Sequence, residues 1–155
     1  MADFDKGPIL AQARTSIDPR ETATSLHDRL AVLGGQLLAP TLKDLAAGTA
    51  TEAEQDDTLA TTCRKFTRTD GTVDPSMMTA EEIDRRVRAL LPWPGVTCPI
   101  GETTVKILAT TLEPTEQELQ DALTLPCANQ TTLHITKLLP PGKSPMTGAE
   151  FERGI

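Results

Sequence analysis

The sequence predicts an α+β chain of two small packed units joined by a crossing segment. Three observations carry this: a leucine stripe at helical spacing in the first third, a polar stretch of weak periodicity after it, and two strand-like runs in the last third. Hydrophobic residues make up 38% of the 155 positions, with three Phe and one Trp, and twelve Pro and ten Gly cut the chain into short pieces. That supply of large apolar side chains suits two modest cores better than one deep one.

Residues 9–17 partly alternate apolar and polar side chains and end at Asp18-Pro19, which reads as a strand with a turn after it. Nothing precedes this strand to pair with it, so its partner is expected from another part of the protein. From about Thr22 to Ala47 the residues Leu26, Leu30, Leu33, Leu37, Leu38, Leu42 and Leu45 recur at helical spacing. Gly34-Gly35 and Pro40 interrupt the stripe and predict a bend or two consecutive helices, with Gly48 as the stop. So long an apolar face needs a sizeable surface to pack on, and the following thirty residues offer none.

Residues 49–78 are polar and read as an extended crossing segment, with Asp70-Gly71 as a tight turn. A better-marked helix follows. Thr79 and Glu82 match the capping box, Ile83, Val87, Leu90 and Leu91 give an apolar side, and Pro92 ends it. Beyond Pro94-Gly95, residues 103–111 and 131–139 read as strands, with a helix-forming polar stretch at 113–121 between them. Pro140-Pro141-Gly142-Lys143 closes this unit, and residues 147–151 form a final turn or short helix.

The formal charge is −7, from 15 Lys and Arg against 22 Asp and Glu. The last third is also acidic: Lys106, Lys137, Lys143 and Arg153 face Glu102, Glu113, Glu116, Glu118, Asp121, Glu150 and Glu152. Taken alone this argues against a strongly electropositive nucleic-acid surface, because backbone binding needs clustered cations. Cys63, Cys98 and Cys127 are widely spaced and form no CxxC or Cys–His pattern, which supports neither a disulfide framework nor a zinc site. No run approaches the roughly 18 apolar residues of a membrane span. The first five residues carry no basic region of the kind a signal peptide or presequence has.

Several stretches, taken in order, resemble the methionyl-tRNA formyltransferases. Phe4-Asp5-Lys6-Gly7-Pro8-Ile9-Leu10 matches the family's D-x-G segment, and residues 25–34 continue the match. Gln55 through Asp74 follows the family's crossing segment, with Thr62 where relatives have Tyr, Cys63 where they have Ala, and Pro75 where Trp is usual. Ile83 through Gly95 is similar to the family's next segment, and Pro141-Gly142-Lys143-Ser144-Pro145-Met146-Thr147 to its P-x-G-K-x-x-M signature. The resemblance implies the end of a Rossmann-like formyltransferase domain at 1–48, a crossing linker at 49–78, and a helix plus a small OB-like β-barrel at 79–155. Relatives carry a further strand and glycine-rich turns where this chain has residues 113–126, so the barrel is expected to be incomplete. Loss of two aromatic anchors predicts a loosely docked linker.

The resemblance also implies chemistry. The family moves a formyl group from 10-formyltetrahydrofolate to the amine of methionine on initiator tRNA, using an Asn, a His and an Asp. Only the Asp has a counterpart here, Asp5. Amine attack on the formyl carbon builds charge on its oxygen, which needs a hydrogen-bond donor. Proton transfer suits a histidine near neutral pKa, oriented by a carboxylate. His27, on the leucine-rich helix, and His134, alternating along a strand, are not recruited to that role. The chain is therefore expected to be inactive alone and to bind 10-formyltetrahydrofolate poorly.

Arg85, Arg86 and Arg88 have two readings, tRNA phosphate contacts or charge pairs with nearby acids. Lys143 follows Gly142 in a loop from which a cation reaches phosphate. Pro92, Trp93 and Pro94 form a rigid corner where the linker enters the last unit, with packing as the expected work of the indole and ligand contact as the alternative. The leucine face of residues 26–45 is expected to drive self-association if nothing covers it. A non-catalytic tRNA- or protein-binding module, and a formyltransferase for a small substrate or nucleotide sugar, are the competing readings. The family's setting implies cytoplasm in a bacterium and the mitochondrion in a eukaryote.

Overall fold

The computed structural model describes residues 6–154. They form two compact units, one running up to Lys65 and one from Phe66 onward, with Thr22–Thr24 grouped with the second.

The first unit is built on α1 (Ala23–Ala47), one continuous helix with Pro40 inside it, and not two consecutive helices. Pro40 sits inside it without an N–H to give. One residue on, Thr41 turns its hydroxyl back to the Leu37 carbonyl at 2.7 Å. Good helix formers on both sides carry the helix through, since propagation is far cheaper than nucleation. It ends as expected at Gly48, φ +68°. There the Gly48 N–H donates to the Leu45 carbonyl at 3.2 Å and the Thr49 N–H to the Asp44 carbonyl at 2.9 Å, a Schellman motif. Near its start, Arg29 donates from Nε and Nη2 to the two carboxylate oxygens of Glu21, at 3.0 and 2.7 Å.

Residues 9–17 are not a strand. Their pairing is one isolated antiparallel bridge, Ile9 with Ala53, whose N–H groups donate to each other's carbonyls at 2.8 and 3.0 Å. A single bridge gives no ladder, and Ile17 stays exposed. The turn after it is present: the Arg20 N–H donates to Asp18 Oδ1 at 2.8 Å.

The second unit takes in the latter part of the expected crossing segment. The tight turn expected at Asp70-Gly71 is present as a short 3₁₀ turn, Arg68–Gly71, in which Asp70 accepts the Thr67 N–H at 2.6 Å. Val73 is buried, and its N–H donates to the Thr97 carbonyl at 3.0 Å. The capping box then starts α2 (Ala80–Leu90), with Thr79 and Glu82 satisfying each other's backbone N–H groups. Its apolar side faces a sheet of β1 (Val96–Ile100), β2 (Thr103–Thr111), β3 (Leu123–Pro126), β4 (Thr132–Leu139) and β5 (Met146–Thr147).

The sheet is antiparallel in the order β1-β2-β4-β3, with β5 pairing to β4. Alternate residues point to the core: Val96 and Cys98, Val105 and Ile107, Leu133 and Ile135. Ile83, Val87 and Leu90 of α2 cover them, and Phe151 of α4 (Gly148–Glu152) joins the same core. β1 carries Pro99, tolerated on an edge strand because it has no N–H to donate. The stretch expected to lack a strand holds α3 (Glu116–Asp121) and β3. The sheet is not closed into a barrel, so the expected OB-like architecture is present only as a small α+β unit.

Candidate functional site

Asp5, the expected catalytic carboxylate, lies outside the described residues. The chain just after it is held in place. Gln55 Nε2 donates to the Gly7 carbonyl at 2.8 Å, and the Ile9–Ala53 bridge lies beside it. The recess at this point is lined by Lys6, Pro8, Glu52, Glu54, Gln55 and Asp57. Three carboxylates make it a poor host for an anionic folate. Lys6 is the one cation in its lining, so the recess offers little to the carboxylates of a folate's glutamate tail.

On α2 the three arginines separate. Asp84 is buried at 1% exposure yet fully engaged: it accepts from Arg88 Nε at 3.0 Å and from Thr110 Oγ1 of β2 at 2.8 Å. Asp84 thus joins helix to sheet through Thr110, and Arg88 pairs with it from one turn along the same helix. Arg86 Nη1 donates to the Asp70 carbonyl at 3.2 Å, and Arg85 is exposed. Lys143 borders an open recess of about 780 Å³ with Glu102 and Glu150 on its walls, a mixed field and not a phosphate cradle.

The corner after α2 is tight. The Leu91–Pro92 and Trp93–Pro94 peptide bonds are both cis, and Gly95 has φ +78°. The Gly95 N–H donates back to the Leu90 carbonyl at 2.8 Å. Gly71 packs straight onto it: a Cβ at Gly71 would stand 1.9 Å from the Gly95 carbonyl oxygen. The indole, expected to pack, instead points outward at 59% exposure. Below it lies a recess of about 390 Å³ lined by Arg68, Thr69, Thr72, Trp93, Pro94, Gly95 and Thr97. The Lys106 side chain crosses Gly95, with its Nζ 2.9 Å from where a Cβ would be.

Nucleophilic chemistry finds little support among the described residues. Burial pushes the Cys98 thiol up to about 12, so it stays protonated and inert. His134 Nδ1 lies 3.3 Å from Thr124 Oγ1 on the sheet, and His27 sits exposed beside Asp28. No cluster of three or more metal-ligating side chains occurs among the described residues.

Residues 65–155 match the family of the formyl transferase C-terminal domain. The chain belongs to that family. The methionyl-tRNA formyltransferase of Nitratidesulfovibrio vulgaris (strain DP4) is 38% identical over 163 aligned positions, covering 96% of this chain and 49% of that protein. That of Gluconobacter oxydans is 34% identical, covering 97% of this chain and 50% of its own length. Halorhodospira halophila has one 45% identical over 106 positions, covering 68% of this chain. The chain spans about half the length of the first of these relatives.

Within the formyl transferase C-terminal domain, the sequence marks the arginines of α2, Lys143 and the Pro-Trp-Pro corner. It does not mark Arg68 and Lys106, which the fold brings to that corner from a 3₁₀ turn and from β2. No local pattern marks either one. The signal that could have pointed to them is the Gly71 and Gly95 pair, whose backbone contact joins the two segments.

Proposed function

We propose that these 155 residues are the C-terminal, tRNA-facing part of a methionyl-tRNA formyltransferase and do not carry formyl transfer by themselves. One observation supports this most: nearly the whole chain aligns with about half of each of several enzymes of that name, and its last 91 residues match the C-terminal domain. In the parent reaction a formyl group passes from 10-formyltetrahydrofolate to the amine of methionine on initiator tRNA. Asp5 would serve as the carboxylate that orients a histidine and keeps it basic. That histidine and the oxyanion donor would come from the part of the enzyme that aligns with none of these residues. The folate belongs with that part as well, so no step is assigned here through it.

The leucine face of α1 then has a function as a packing surface. Leu30, Leu38, Leu42 and Leu45 are exposed in the described structure. Each would contribute about 1.5–3 kcal/mol if fully buried. In the complete enzyme the formyltransferase half would cover them. For the isolated chain, self-association is the alternative cover.

Binding of labelled methionyl-initiator tRNA, followed by fluorescence anisotropy at two salt concentrations, tests the tRNA reading. With a net charge of −7, affinity should be weak and should fall steeply with salt. No saturable binding at low salt contradicts a tRNA-facing role. Submicromolar binding that survives physiological salt contradicts the electrostatic account.

A further inference from the structure

We propose that the recess under Trp93 takes one unpaired nucleotide, its base stacked on the indole and its phosphate held by Lys106 and Arg68. This rests on the tRNA reading and gives it a place on the molecule.

Charge makes the first argument. Arg68 is the one charged residue lining the recess, and the Lys106 side chain lies against Gly95, which also lines it. No carboxylate lines it, although the chain as a whole carries −7. The acid nearest in sequence, Asp70, is turned into its own cap, where Oδ2 accepts from the Thr67 N–H at 2.6 Å and from Thr67 Oγ1 at 2.8 Å. Arg86 donates to the Asp70 carbonyl of the same turn. Against an acidic background this is a local electropositive spot suited to phosphate.

Shape and chemistry make the second. The indole is 59% exposed on a backbone fixed by Pro94 and by the Gly71–Gly95 contact, so a π-face is presented with little ordering left to do. Around it stand the threonines Thr69, Thr72 and Thr97, whose side chains carry hydroxyls suited to base edges and ribose. A protein anchor would need a deeper apolar lining than one ring and one proline. At about 390 Å³ the recess is near the small end of ligand pockets, roughly 300–1,000 Å³. Paired bases are already stacked, so the occupant is unpaired.

Trp93 is the only tryptophan and there is no tyrosine, so intrinsic fluorescence reports this site alone. The full chain is titrated with a single-stranded RNA hexamer, the same hexamer as a duplex, and inorganic polyphosphate. Saturable quenching by the single strand is expected, with little by the other two. Anisotropy of a labelled hexamer should show Trp93→Phe binding near the parent level and Trp93→Ala weakened about 5- to 100-fold. Lys106→Gln, which removes a charge but no core contact, should weaken binding several-fold and lessen its salt dependence. Equal quenching by duplex or polyphosphate, no saturable quenching, or unchanged hexamer binding by Trp93→Ala overturns the proposal. With labelled initiator tRNA, binding that Trp93→Ala leaves untouched defeats the stacking site but not the tRNA reading. Hexamer stacking without tRNA binding supports the site and defeats that reading.

Discussion

Asp84 shows most clearly what one residue does in this fold. Its carboxylate is buried between Arg88 and Thr110, and both partners lose their acceptor if it is removed. Breaking a buried pair from one side costs about 3–5 kcal/mol; Arg88 keeps some solvent access, so Asp84→Ala should cost about 3 kcal/mol. Urea unfolding followed by Trp93 fluorescence measures this; a loss under about 1 kcal/mol would contradict it. Cys98 gives a pH signature. Burial raises its folded pKa to about 12 from an ordinary thiol value near 9. Between those values the folded state holds a proton that the unfolded state has released. Its stabilising contribution is therefore complete below about pH 9 and is lost as pH rises toward 12. Stability should fall through that window by an amount on the order of a few kcal/mol, and Cys98→Ala should flatten the fall. An equal alkaline slope in both proteins would contradict the assignment. The Asp84 pairing was half legible: the sequence shows Arg88 one helical turn away, but Thr110 is brought up only by tertiary packing.

At the scale of elements, legibility followed local signals. The capping box at Thr79, the glycine stop at Gly48 and the strand-like run of residues 103–111 are written in neighbouring residues, and the structure has all three. Residues 9–17 also alternate, but a strand exists only through its partner, and one bridge to Ala53 does not make a ladder. β1 was hidden by Pro99, which an edge position tolerates. β3 was hidden by its brevity, four residues after a polar helix. The Pro-Trp-Pro corner was legible as a corner, but the outward indole was not, because exposure depends on what the sheet and the 3₁₀ turn leave open. Gly71 couples those elements. Gly71→Ala would drive a methyl into the Gly95 carbonyl, and both partners are backbone, so one segment must move. We expect a loss of about 1–3 kcal/mol and a changed Trp93 emission maximum. An unchanged emission maximum at unchanged stability would show that the contact is not structural.

For the molecule as a whole, net charge and apolar surface point in opposite directions. The charge of −7 favours solubility, while α1 presents Leu38, Leu42 and Leu45 along one exposed side. We expect the isolated chain to self-associate through this face as concentration rises in sedimentation experiments. Leu38→Glu with Leu42→Glu should return it to a monomer without loss of helix. A concentration-independent monomer with amides protected throughout residues 26–45 would mean that the chain satisfies its own face. On the proposed reading, these residues belong to a longer formyltransferase and do not complete formyl transfer by themselves. The most direct test is a formylation assay of the purified chain with 10-formyltetrahydrofolate and methionyl-initiator tRNA. No formylmethionyl-tRNA above background is the expected result; turnover that Asp5→Ala abolishes would contradict the account.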